Sequence, residues 1–464
     1  MKIEEIIKES GAELCFGSPA TEPLAIKSDS RTVVPGDLFI AVAGCSDDGS
    51  RYIDDARAKG AVAAVRTDRE GLARIAATFY GNPSSKLDLV GITGTNGKTT
   101  TVTLLFNMFR SLGYKCGMLS TIENRCDDEV FEARNTTSDP ITINSLLAMM
   151  VEKGCRYCFM EVSSIGVEQK RTAFLKFKVG IFSNLTHDHL DYHGTFEEYL
   201  RCKKMFFDAL PKGAVAITNK DDKNGLVMVQ NTRAKVMTYS CRSLAEHSAR
   251  ILEQTVEGML LSIDGEQVWL RLVGRHNAYN ALAVYCTALA LGAGKQDALV
   301  CLSRLEGAKG RLETIHCPGG KTVVIDYAHT PDALENVLKT LRDICALKPL
   351  VCLFGCGGDR DRTKRPEMAA VAQKYADRIV VSSDNSRSER TEDIMAEIRE
   401  GFNQAGLRKA VFIADRAEAI RAAISFAPEG AVILLAGKGH ETYQINADGY
   451  EHFDEREIVR DIFK

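Results

Sequence analysis

A glycine-rich turn that carries a lysine and several threonines constrains the fold of this chain more than any other segment. It lies in residues 91–104, GITGTNGKTTTVTL. The preceding LDLV suits a buried strand of a parallel sheet, and the following VTLLFNMFRSLGY has the apolar spacing of a helix. Between them, Gly94 and Gly97 let backbone N–H groups approach phosphate oxygens, and the helix N-terminus adds partial positive charge. The segment therefore predicts a phosphate-binding loop for a nucleotide.

Two side chains of this loop point to the same ligand. Lys98 supplies a point charge for the outer phosphates, and Thr99 a hydroxyl for Mg²⁺. The common P-loop has a glycine where this chain has Ile92, so the pattern here is the shorter GTNGKTT. The alternative is a chance glycine turn that caps a helix, which the combination of strand, GKTT and helix disfavours. The residues predicted to bind the nucleotide are Gly94, Thr95, Asn96, Gly97, Lys98, Thr99 and Thr100.

Length and composition indicate a globular protein of several domains. The 464 residues predict two to four domains, and 45% hydrophobic with 26% charged residues is ordinary for such proteins. A formal net charge of −3 disfavours a nucleic-acid partner. The N-terminal MKIEEIIKES lacks the apolar core of a signal peptide, and no apolar run reaches about 18 residues, so we expect no membrane insertion.

The 14 cysteines are scattered, and many lie in apolar runs, among them Cys286, Cys301 and Cys352. This distribution is typical of reduced thiols and predicts a cytoplasmic location. Cys155 and Cys158 form one CxxC pair, but they lie in the strand-like RYCFMEV, without a second pair at metal spacing. We interpret this pair as structural.

Strand and helix signals divide the chain into three α/β segments. Residues 1–85 are predicted to form a small domain with the strands DLFIAVAG and AVAAVRTD and the helix RYIDDARAKG, followed by the linker GNPSSKLD. In 86–312, the strands VGIT, KCGMLST, YCFMEVSS, VGIFSNLT and GAVAITN alternate with helices, which predicts a doubly wound, mostly parallel sheet. A second doubly wound domain is predicted for 313–464, from TVVIDYAH, LVCLFGCGG, RIVVSSD, AVFIAD and AVILLAGKG.

An acidic residue follows one of the central strands. Glu161 ends YCFMEVSS, where an open α/β sheet places its ligands, and a carboxylate there can hold Mg²⁺ beside phosphates. The alternative is that Ser163 or Ser164 caps a helix and Glu161 is merely a neighbour. The two interpretations are compatible.

A histidine cluster follows the next central strand. Residues 182–194, FSNLTHDHLDYHG, hold His187, His189 and His193 with two aspartates. Their spacing is not HExxH, which disfavours a zinc protease, and a histidine that assists Mg²⁺ suits the nucleotide site better. For each histidine taken alone, a hydrogen-bonded loop residue is an equally good interpretation.

The segment EEYLRCKKMFFDAL is predicted to be an amphipathic helix with Lys203 on its apolar face. A cation that faces a metal site is unfavourable unless its charge is altered. From spacing alone, an extension of this lysine to solvent is the more common outcome.

The order of short motifs along nearly the whole chain resembles that of the Mur ligase family. The motifs are GTNGKTT, NTTSDP, MEVSSIGVEQKR, NLTHDHLDYHG, YLRCKK, GRHNAYNALA, GRLE, DYAHTPDAL, GCGGDRDRTKRP, SDNSR and AGKGHE. DHLDYHG and SDNSR are specific to the MurE type, whereas GTNGKTT is shared with the other Mur enzymes and with folylpolyglutamate synthetases. The resemblance implies an N-terminal UDP-binding domain, a central P-loop-type ATP-binding domain, and a C-terminal Rossmann-like domain that binds an amino acid.

The resemblance also implies roles for particular residues. Lys203 aligns with the lysine that the family carbamylates, which turns a cation into an anionic ligand for a second Mg²⁺; Lys204 is the alternative if the alignment shifts by one. The implied catalytic residues are Lys98, Glu161, His189 and Lys203, and the implied metal ligands are Thr99, Glu161, His189 and carbamylated Lys203. Further ATP contacts are implied for Asn277, Arg311, Asp326 and Tyr327. Contacts to the UDP-linked substrate are implied for Ser28, Ser30, Cys45, Ser46, Asp47, Asn135, Thr136, Thr137, Ser163, Gln169 and Arg171.

The segment SSDNSRSE corresponds to the family's DNPR signature, with Ser386 in place of the usual proline. Arg387 is present, and a guanidinium suits a bidentate contact to a carboxylate. Meso-diaminopimelate has a carboxylate at its far end where L-lysine has only an ammonium group, so Arg387 together with Arg360 favours the former. Loss of the proline loosens the turn, which leaves L-lysine as an alternative. The implied amino-acid-binding residues are Arg360, Asp384, Asn385, Ser386, Arg387, Gly437 and Glu441.

The implied activity is an ATP- and Mg²⁺-dependent amide ligase in peptidoglycan precursor synthesis. It would add meso-diaminopimelate to UDP-MurNAc-L-Ala-D-Glu through an acyl phosphate, as a monomer with small-molecule substrates only. Another Mur-type or folylpolyglutamate ligase is the nearest alternative. A non-catalytic nucleotide sensor is a further alternative, which Lys98, Glu161, His189 and Lys203 argue against.

Overall fold

The computed structural model describes residues 1–43, 48–186, 190–345 and 347–463. The chain folds into two compact units, residues 1–249 with 279–302 and residues 250–278 with 303–464. Strands and helices alternate in both units, and the predicted α/β fold is confirmed. The three predicted domain limits remain a prediction. Among the described residues, no helix combines the length and the apolar character that crossing a bilayer requires.

A small sheet with three helices forms the N-terminal part of the first unit. Its elements are β1 (Glu13–Phe16), β2 (Ile26–Lys27), β3 (Leu38–Val42), β4 (Ala63–Thr67), α1 (Ile3–Ile6), α2 (Ile53–Ala58) and α3 (Arg69–Phe79). The strand order is β1-β4-β3-β2, with β1 antiparallel to β4 and the other pairs parallel. The predicted strands and helix correspond to β3, β4 and α2, and one face of this sheet packs Ile40 and Val65 against Leu72 of α3.

The rest of the first unit is built on a larger sheet. Its strands are β5 (Asp88–Thr93), β6 (Cys116–Leu119), β7 (Glu123–Cys126), β8 (Glu129–Glu132), β9 (Tyr157–Glu161), β10 (Phe177–Phe182), β11 (Val215–Asn219), β12 (Lys235–Ser240) and the start of β13 (His247–Thr255). The order within this unit is β13-β12-β11-β10-β5-β9-β6-β7-β8. Strands β10, β5, β9 and β6 run parallel and adjacent, so their carboxyl ends share one edge of the sheet.

Helices of this unit cover the larger sheet. They are α4 (Lys98–Ser111), α5 (Pro140–Glu152), α6 (Ser164–Glu168), α7 (Leu190–His193), α8 (Phe196–Asp208) and α9 (Gly225–Met228). Helix α8 is the predicted amphipathic helix: Thr195 caps its first turn, and its buried residues are Tyr199, Cys202, Lys203, Phe206 and Phe207. This spacing places Lys203 on the buried face, as predicted.

The second unit contains another parallel sheet. The strands that lie in this unit are β14 (Gly258–Ile263), β15 (Glu266–Leu270), β16 (Glu313–His316), β17 (Thr322–Asp326), β18 (Leu350–Phe354), β19 (Arg378–Val381), β20 (Ala410–Phe412), β21 (Val432–Ala436), β22 (Tyr443–Asn446) and β23 (Gly449–His452). The main sheet has the order β16-β17-β21-β18-β19-β20, with β16 antiparallel and the others parallel. The predicted C-terminal strands are all present.

The remaining helices are α10 (Arg275–Ala290), α11 (Lys295–Arg304), α12 (Pro331–Ile344), α13 (Lys364–Tyr375), α14 (Thr391–Glu400), α15 (Gln404–Leu407), α16 (Arg416–Phe426) and α17 (Glu455–Asp461). The chain passes between the units within α10 and α11. The antiparallel hairpins β14–β15 and β22–β23 and the antiparallel pairs of β7 with β6 and β8 were not predicted. These strands are short, and they do not take part in the alternation of strands and helices from which the two sheets were predicted.

Candidate functional site

The predicted phosphate loop connects β5 to α4. Its two critical glycines have positive φ values, 156° at Gly94 and 87° at Gly97. A side chain at Gly94 would lie 1.9 Å from Ser183 Oγ, and one at Gly97 would lie 2.4 Å from Asn280 Oδ1. Both backbone conformation and close packing therefore require glycine at these positions.

The segment after β10 holds the loop in place. The Thr95 amide donates to Asn184 O (2.8 Å), and the Asn96 amide donates to Asn184 Oδ1 (2.9 Å). The Thr186 amide donates to Thr95 Oγ1 (3.0 Å). The first part of the predicted histidine segment therefore supports the loop, while His187 and His189 lie outside the described residues.

Two lysines meet at one carbonyl of the loop. Lys98 Nζ donates to Gly94 O and Thr95 O (both 2.9 Å). Lys203 Nζ, from the buried face of α8, donates to the same Gly94 O (2.9 Å) and lies 4.6 Å from the centre of the Tyr199 ring. Lys203 is 1% exposed, so the expectation that it extends to solvent is wrong. Lys204 instead pairs with Asp208 (2.6 Å) on the outside of the helix.

Glu161, at the end of β9, joins the loop to neighbouring strands. Its fully buried carboxylate accepts from Thr99 Oγ1 (2.8 Å), from the Thr121 amide (2.9 Å) and from Thr121 Oγ1 (3.1 Å). Thr121 Oγ1 also lies 3.1 Å from Thr136 Oγ1, and this second hydroxyl can donate to it. A hydroxyl and a carboxylate in contact are hard oxygen donors, which fit Mg²⁺. Among the described residues, no group of three or more His, Cys, Asp or Glu is arranged around a metal position.

The predicted substrate residues of this unit form a continuous network beside Glu161. Thr137 Oγ1 donates to Glu161 O (2.9 Å) and accepts from the Ser163 amide (2.9 Å). Arg171 donates to Thr137 O (2.7 Å) and to Gln169 Oε1 (2.7 Å). Burial lowers the pKa of Arg171 from its usual value. Ser163 also caps α6 through the Gly166 amide (3.0 Å), so the helix-cap interpretation is confirmed, while the compatible ligand interpretation of Glu161 stays a prediction. Asn135 is exposed next to this network.

Other predicted residues of this unit lie elsewhere. His193 hydrogen-bonds Ser164 (2.9 Å) on α6 and is buried, which supports the hydrogen-bonded interpretation for this histidine. Ser28 is exposed and Ser30 is buried near the short strand β2, where Ser30 O accepts from Lys59 Nζ (2.9 Å). Cys45, Ser46 and Asp47 lie outside the described residues. Thr100 is buried in the first turn of α4.

In the second unit, Asp326 and Tyr327 follow β17. Asp326 accepts from the amides of Leu312 (2.8 Å) and Ala328 (2.9 Å). Burial raises the pKa of Asp326 above its usual value, although nearby Arg311 opposes this. The Arg311 guanidinium lies 5.1 Å from the centre of the Tyr327 ring. Three of the four additional ATP contacts implied by the resemblance are therefore neighbours.

A half-buried histidine, His440, lies against this group. Partial burial, Arg311 and Arg456 lower the pKa of His440 to about 4. The His440 ring lies 4.9 Å from the Tyr327 ring, so a neutral aromatic surface borders Arg311. Asn277 is buried and donates through Nδ2 to Val273 O (2.8 Å).

The residues predicted to bind the amino-acid substrate lie at the carboxyl ends of β19 and β21. Asn385 Nδ2 donates to Glu441 Oε2 (2.9 Å), and Gly437, with φ 117°, would place a side chain 2.8 Å from Asp384 Oδ2. Burial alone would raise the pKa of Asp384, but Lys438 and then Arg416 outweigh it, so the pKa lies below its usual value. Asp384 therefore stays ionised at neutral pH.

Arg387 lies on the same loop in the left-handed region, with φ 52°. Its Nη1 donates to Gly358 O (2.7 Å), and within the described part of the chain its Nε and Nη2 groups have no protein acceptor. Ser386 is buried in this turn, while Arg360 is exposed on the neighbouring loop after β18.

Three models of Mur ligase domains match the sequence. The Mur ligase middle domain matches residues 92–288, the glutamate ligase domain matches 310–439, and the Mur ligase catalytic domain matches 25–88. Full-length relatives agree. A protein of Phocaeicola vulgatus called UDP-N-acetylmuramoyl-L-alanyl-D-glutamate--2,6-diaminopimelate ligase is 48% identical, over 100% of this chain and 99% of the relative.

This chain belongs to the Mur ligase family. A second relative with the same description, from Cytophaga hutchinsonii, is 47% identical over 100% of this chain and 99% of its own length. A solved structure of a ligase of that description has a TM-score of 0.74 and 30% identity, and it covers 100% of this chain and 98% of its own. A MurF ligase of Thermotoga maritima, solved with ADP, shares the Mur ligase fold with a TM-score of 0.64 at 18% identity, over 96% of this chain and 97% of its own.

Several residues of this Mur ligase that contact the predicted site were missed from the sequence. Thr121 follows β6, and the rule that directs attention to the ends of parallel strands could have identified it. Asn280 packs on Gly97, whereas the resemblance implies a role for Asn277 in the same GRHNAYN motif. Tyr192 Oη accepts from Gln169 Nε2 (2.9 Å) and donates to Glu168 (2.8 Å). Lys438 and Arg416 gave no sequence signal, because nothing in the pattern marks a buried cation.

Proposed function

We propose that this Mur ligase joins meso-diaminopimelate to UDP-MurNAc-L-Ala-D-Glu with hydrolysis of ATP, in peptidoglycan precursor synthesis. The similarity to relatives that carry this description, at 46–48% identity over their full length, is the observation that supports it most strongly. Within the chain, the meeting of Lys98, Lys203 and Glu161 around one loop suits phosphoryl transfer.

The first chemical step activates a carboxylate, which is a poor electrophile. The γ-carboxylate of the UDP-linked dipeptide attacks the terminal phosphorus of ATP. A new P–O bond forms as the bond to the leaving ADP breaks, which gives an acyl phosphate. Lys98 would leave Gly94 O and Thr95 O to neutralise the charge that develops on the phosphoryl oxygens.

Magnesium ions would share this task. Bound Mg²⁺ would neutralise phosphate charge, and we assign its ligands to Thr99, Glu161, His189 and a carbamate on Lys203. Two ammonium groups on one carbonyl oxygen repel each other. Addition of CO₂ to the Lys203 amine would replace that repulsion with attraction to Lys98 and to metal ions.

The second step forms the amide bond. The amino group of the diamino acid attacks the acyl carbon, a tetrahedral intermediate forms, and phosphate leaves with the bonding electron pair. We assign Asp384, Asn385 and Glu441 to the amino end of this substrate, and Arg387 with Arg360 to its far carboxylate. The nucleotide contacts of Asn277, Arg311, Asp326 and Tyr327 are part of the same proposal.

The UDP-linked substrate is assigned to residues of the first unit. The network of Thr136, Thr137, Ser163, Gln169 and Arg171 presents hydroxyl, amide and guanidinium groups beside Glu161, which suits a polar acidic peptide. Ser28 and Ser30 are assigned to the UDP part, with Cys45, Ser46 and Asp47. We further propose a monomeric cytoplasmic enzyme with the domain limits 1–85, 86–312 and 313–464.

The function is tested by incubating the protein with ATP, Mg²⁺, the UDP-dipeptide and single candidate acceptors, with ADP and the coupled product both measured. We expect product with meso-diaminopimelate and far less with L-lysine. Turnover with folate and glutamate alone would indicate a folylpolyglutamate ligase, and absence of turnover with every acceptor would favour a nucleotide sensor.

Replacement of Lys203 by alanine is expected to lower the ligation rate about 10²-fold, because an anionic metal ligand is lost. Short carboxylic acids such as formate or acetate should restore part of the activity, since they can occupy the place of the carbamate. Lys204→Ala serves as the control and should keep its activity, because Lys204 pairs with Asp208 away from the loop. Full activity of Lys203→Ala without added acid would contradict the role of Lys203 as a carbamylated metal ligand.

Replacement of Arg387 by alanine is expected to raise the KM for meso-diaminopimelate about 10- to 100-fold, because a charged hydrogen-bonded pair is lost. The KM for ATP should change less than about twofold. Steady-state kinetics with each substrate varied in turn measures both. Arg390→Ala is the control, since that arginine is 76% exposed on the same segment. An unchanged KM for diaminopimelate would remove Arg387 from the selectivity assignment.

A further inference from the structure

A fully buried lysine contacts the residues predicted to bind the amino-acid substrate. Lys438 follows β21 and is 0% exposed. Its ammonium group donates to Tyr443 O (2.8 Å), Asn385 Oδ1 (2.9 Å) and Glu441 Oε2 (3.3 Å). A lysine has three N–H donors, so each of them has an acceptor here.

The charge of Lys438 is matched by carboxylates of the site. Asp384 Oδ1 lies 3.7 Å from Nζ, and Glu441 Oε2 lies 3.3 Å from it. Burial of an unpaired charge is costly, so a lysine in this place needs such partners. Conversely, the two acidic groups would repel each other if the cation between them were absent.

Lys438 also fixes the orientation of the Asn385 amide. Asn385 Oδ1 accepts from Lys438 Nζ and from the Ile445 amide (2.9 Å), and Nδ2 donates to Glu441 Oε2. A flipped amide would turn its NH₂ group toward two donors. The ammonium group therefore determines which side of Asn385 remains available for a ligand.

We propose that Lys438 is a positioning residue that sets the geometry and charge of the amino-acid site, so that a zwitterionic diamino acid with two carboxylates is preferred. This inference rests on the proposed function. Without Lys438, Asp384 and Glu441 lose the cation between them, and the site becomes more negative by one charge. Meso-diaminopimelate carries no net charge at neutral pH, whereas L-lysine carries one positive charge, so this change would favour L-lysine.

The test compares Lys438→Met and Lys438→Arg with the wild-type enzyme. We expect Lys438→Met to raise the KM for meso-diaminopimelate about 10- to 100-fold, with the KM values for ATP and the UDP-dipeptide within about twofold. The ratio of kcat/KM for meso-diaminopimelate to that for L-lysine should fall about tenfold. A purely structural role would not move this ratio. Lys438→Arg should restore the ratio, because the charge is kept, while the KM stays raised because a planar guanidinium fits the three acceptors poorly.

Arg342→Met is the matched control. Arg342 donates to Tyr375 O (2.6 Å) and pairs with Asp377 (2.7 Å) at the opposite edge of the same sheet. Its loss removes a paired cation without touching the site, so both the KM values and the ratio should stay as in the wild type.

Unchanged KM and ratio in Lys438→Met, or an equal rise of all three KM values, would overturn the inference. If Lys438→Met does not fold, Lys438→Arg decides the matter, because an unchanged KM for meso-diaminopimelate in that variant also overturns it. Turnover by the wild-type enzyme reports separately on the proposed function: its absence with every acceptor rejects that function, whereas a normal wild type beside an unaffected variant rejects only the role of Lys438.

Discussion

Replacement of Lys98 by methionine is expected to lower the rate of ATP-dependent ligation about 10³-fold, which is the loss typical of one preorganised electrostatic donor. Lys98 lies in the first turn of α4, and its ammonium group reaches back to Gly94 O and Thr95 O. It is therefore held beside the loop amides that would bind the phosphates. A methionine fills similar space but carries no charge to stabilise the transferring phosphoryl group.

This loss should appear mainly in kcat, because the charge on the phosphoryl oxygens changes most in the transition state. The measurement is the initial rate of ADP release at saturating substrates. Lys153→Met is the control, since Lys153 pairs with Glu129 on the surface. If Lys98→Met were to turn over at a rate close to that of the wild type, the phosphate role of this loop would have to be abandoned.

Replacement of Arg416 by methionine is expected to destabilise the second unit by about 3–5 kcal/mol, the usual result of removing one partner of a buried ion pair. Arg416 and Glu455 are both 0% exposed as side chains. The guanidinium donates to Glu455 Oε1 (2.9 Å), to Ser383 O (2.9 Å) and to Ala436 O (2.8 Å). Its loss would leave a buried carboxylate and two backbone carbonyl groups without this hydrogen-bond donor.

Urea denaturation followed by circular dichroism measures this change as a lower transition midpoint. Arg421→Met is the control on the same helix, because Arg421 is 51% exposed and pairs with Glu418 on the surface. Its stability should stay within about 0.5 kcal/mol of the wild type. The double variant Arg416→Met with Glu455→Met should recover much of the loss, since two apolar side chains replace the pair. A single variant as stable as the wild type would show that this pair contributes nothing.

The same arginine connects the fold to the candidate site. Ser383 and Ala436 directly precede Asp384 and Gly437, two of the residues predicted to bind the amino-acid substrate. Arg416 connects the ends of β19 and β21 through hydrogen bonds to their backbone carbonyl groups. Lys438 instead orients side chains of the site through its hydrogen bond to Asn385. The backbone and the side chains of this site thus depend on two different buried cations.

Local signals predicted much of the architecture. The glycine turn between a strand and a helix located the phosphate loop, and apolar spacing placed Lys203 on the buried face of α8. The parallel strands were found because buried strands give continuous apolar runs. The short antiparallel hairpins β14–β15 and β22–β23 have little such signal, and they were missed.

Partners distant in sequence could not be derived in this way. We expected the Lys203 side chain to extend from the apolar face of its helix to solvent, yet the fold brings its ammonium group to Gly94 O, 109 residues away in the chain. In the AGKGHE motif, Gly437 and Glu441 were singled out from the resemblance, whereas Lys438 was not. Its role depends on Asn385, which lies 53 residues before it.

The sequence by itself determined the strand–loop–helix that suits a phosphate, the α/β class and the family, because these depend on neighbouring residues and on the order of motifs. The tertiary structure decided which side chains meet, including the shared carbonyl of Lys98 and Lys203 and the partners of Lys438. The physical reason is that strand order determines which loops lie side by side at a sheet edge. That order results from packing across the whole sheet, which short-range patterns do not contain.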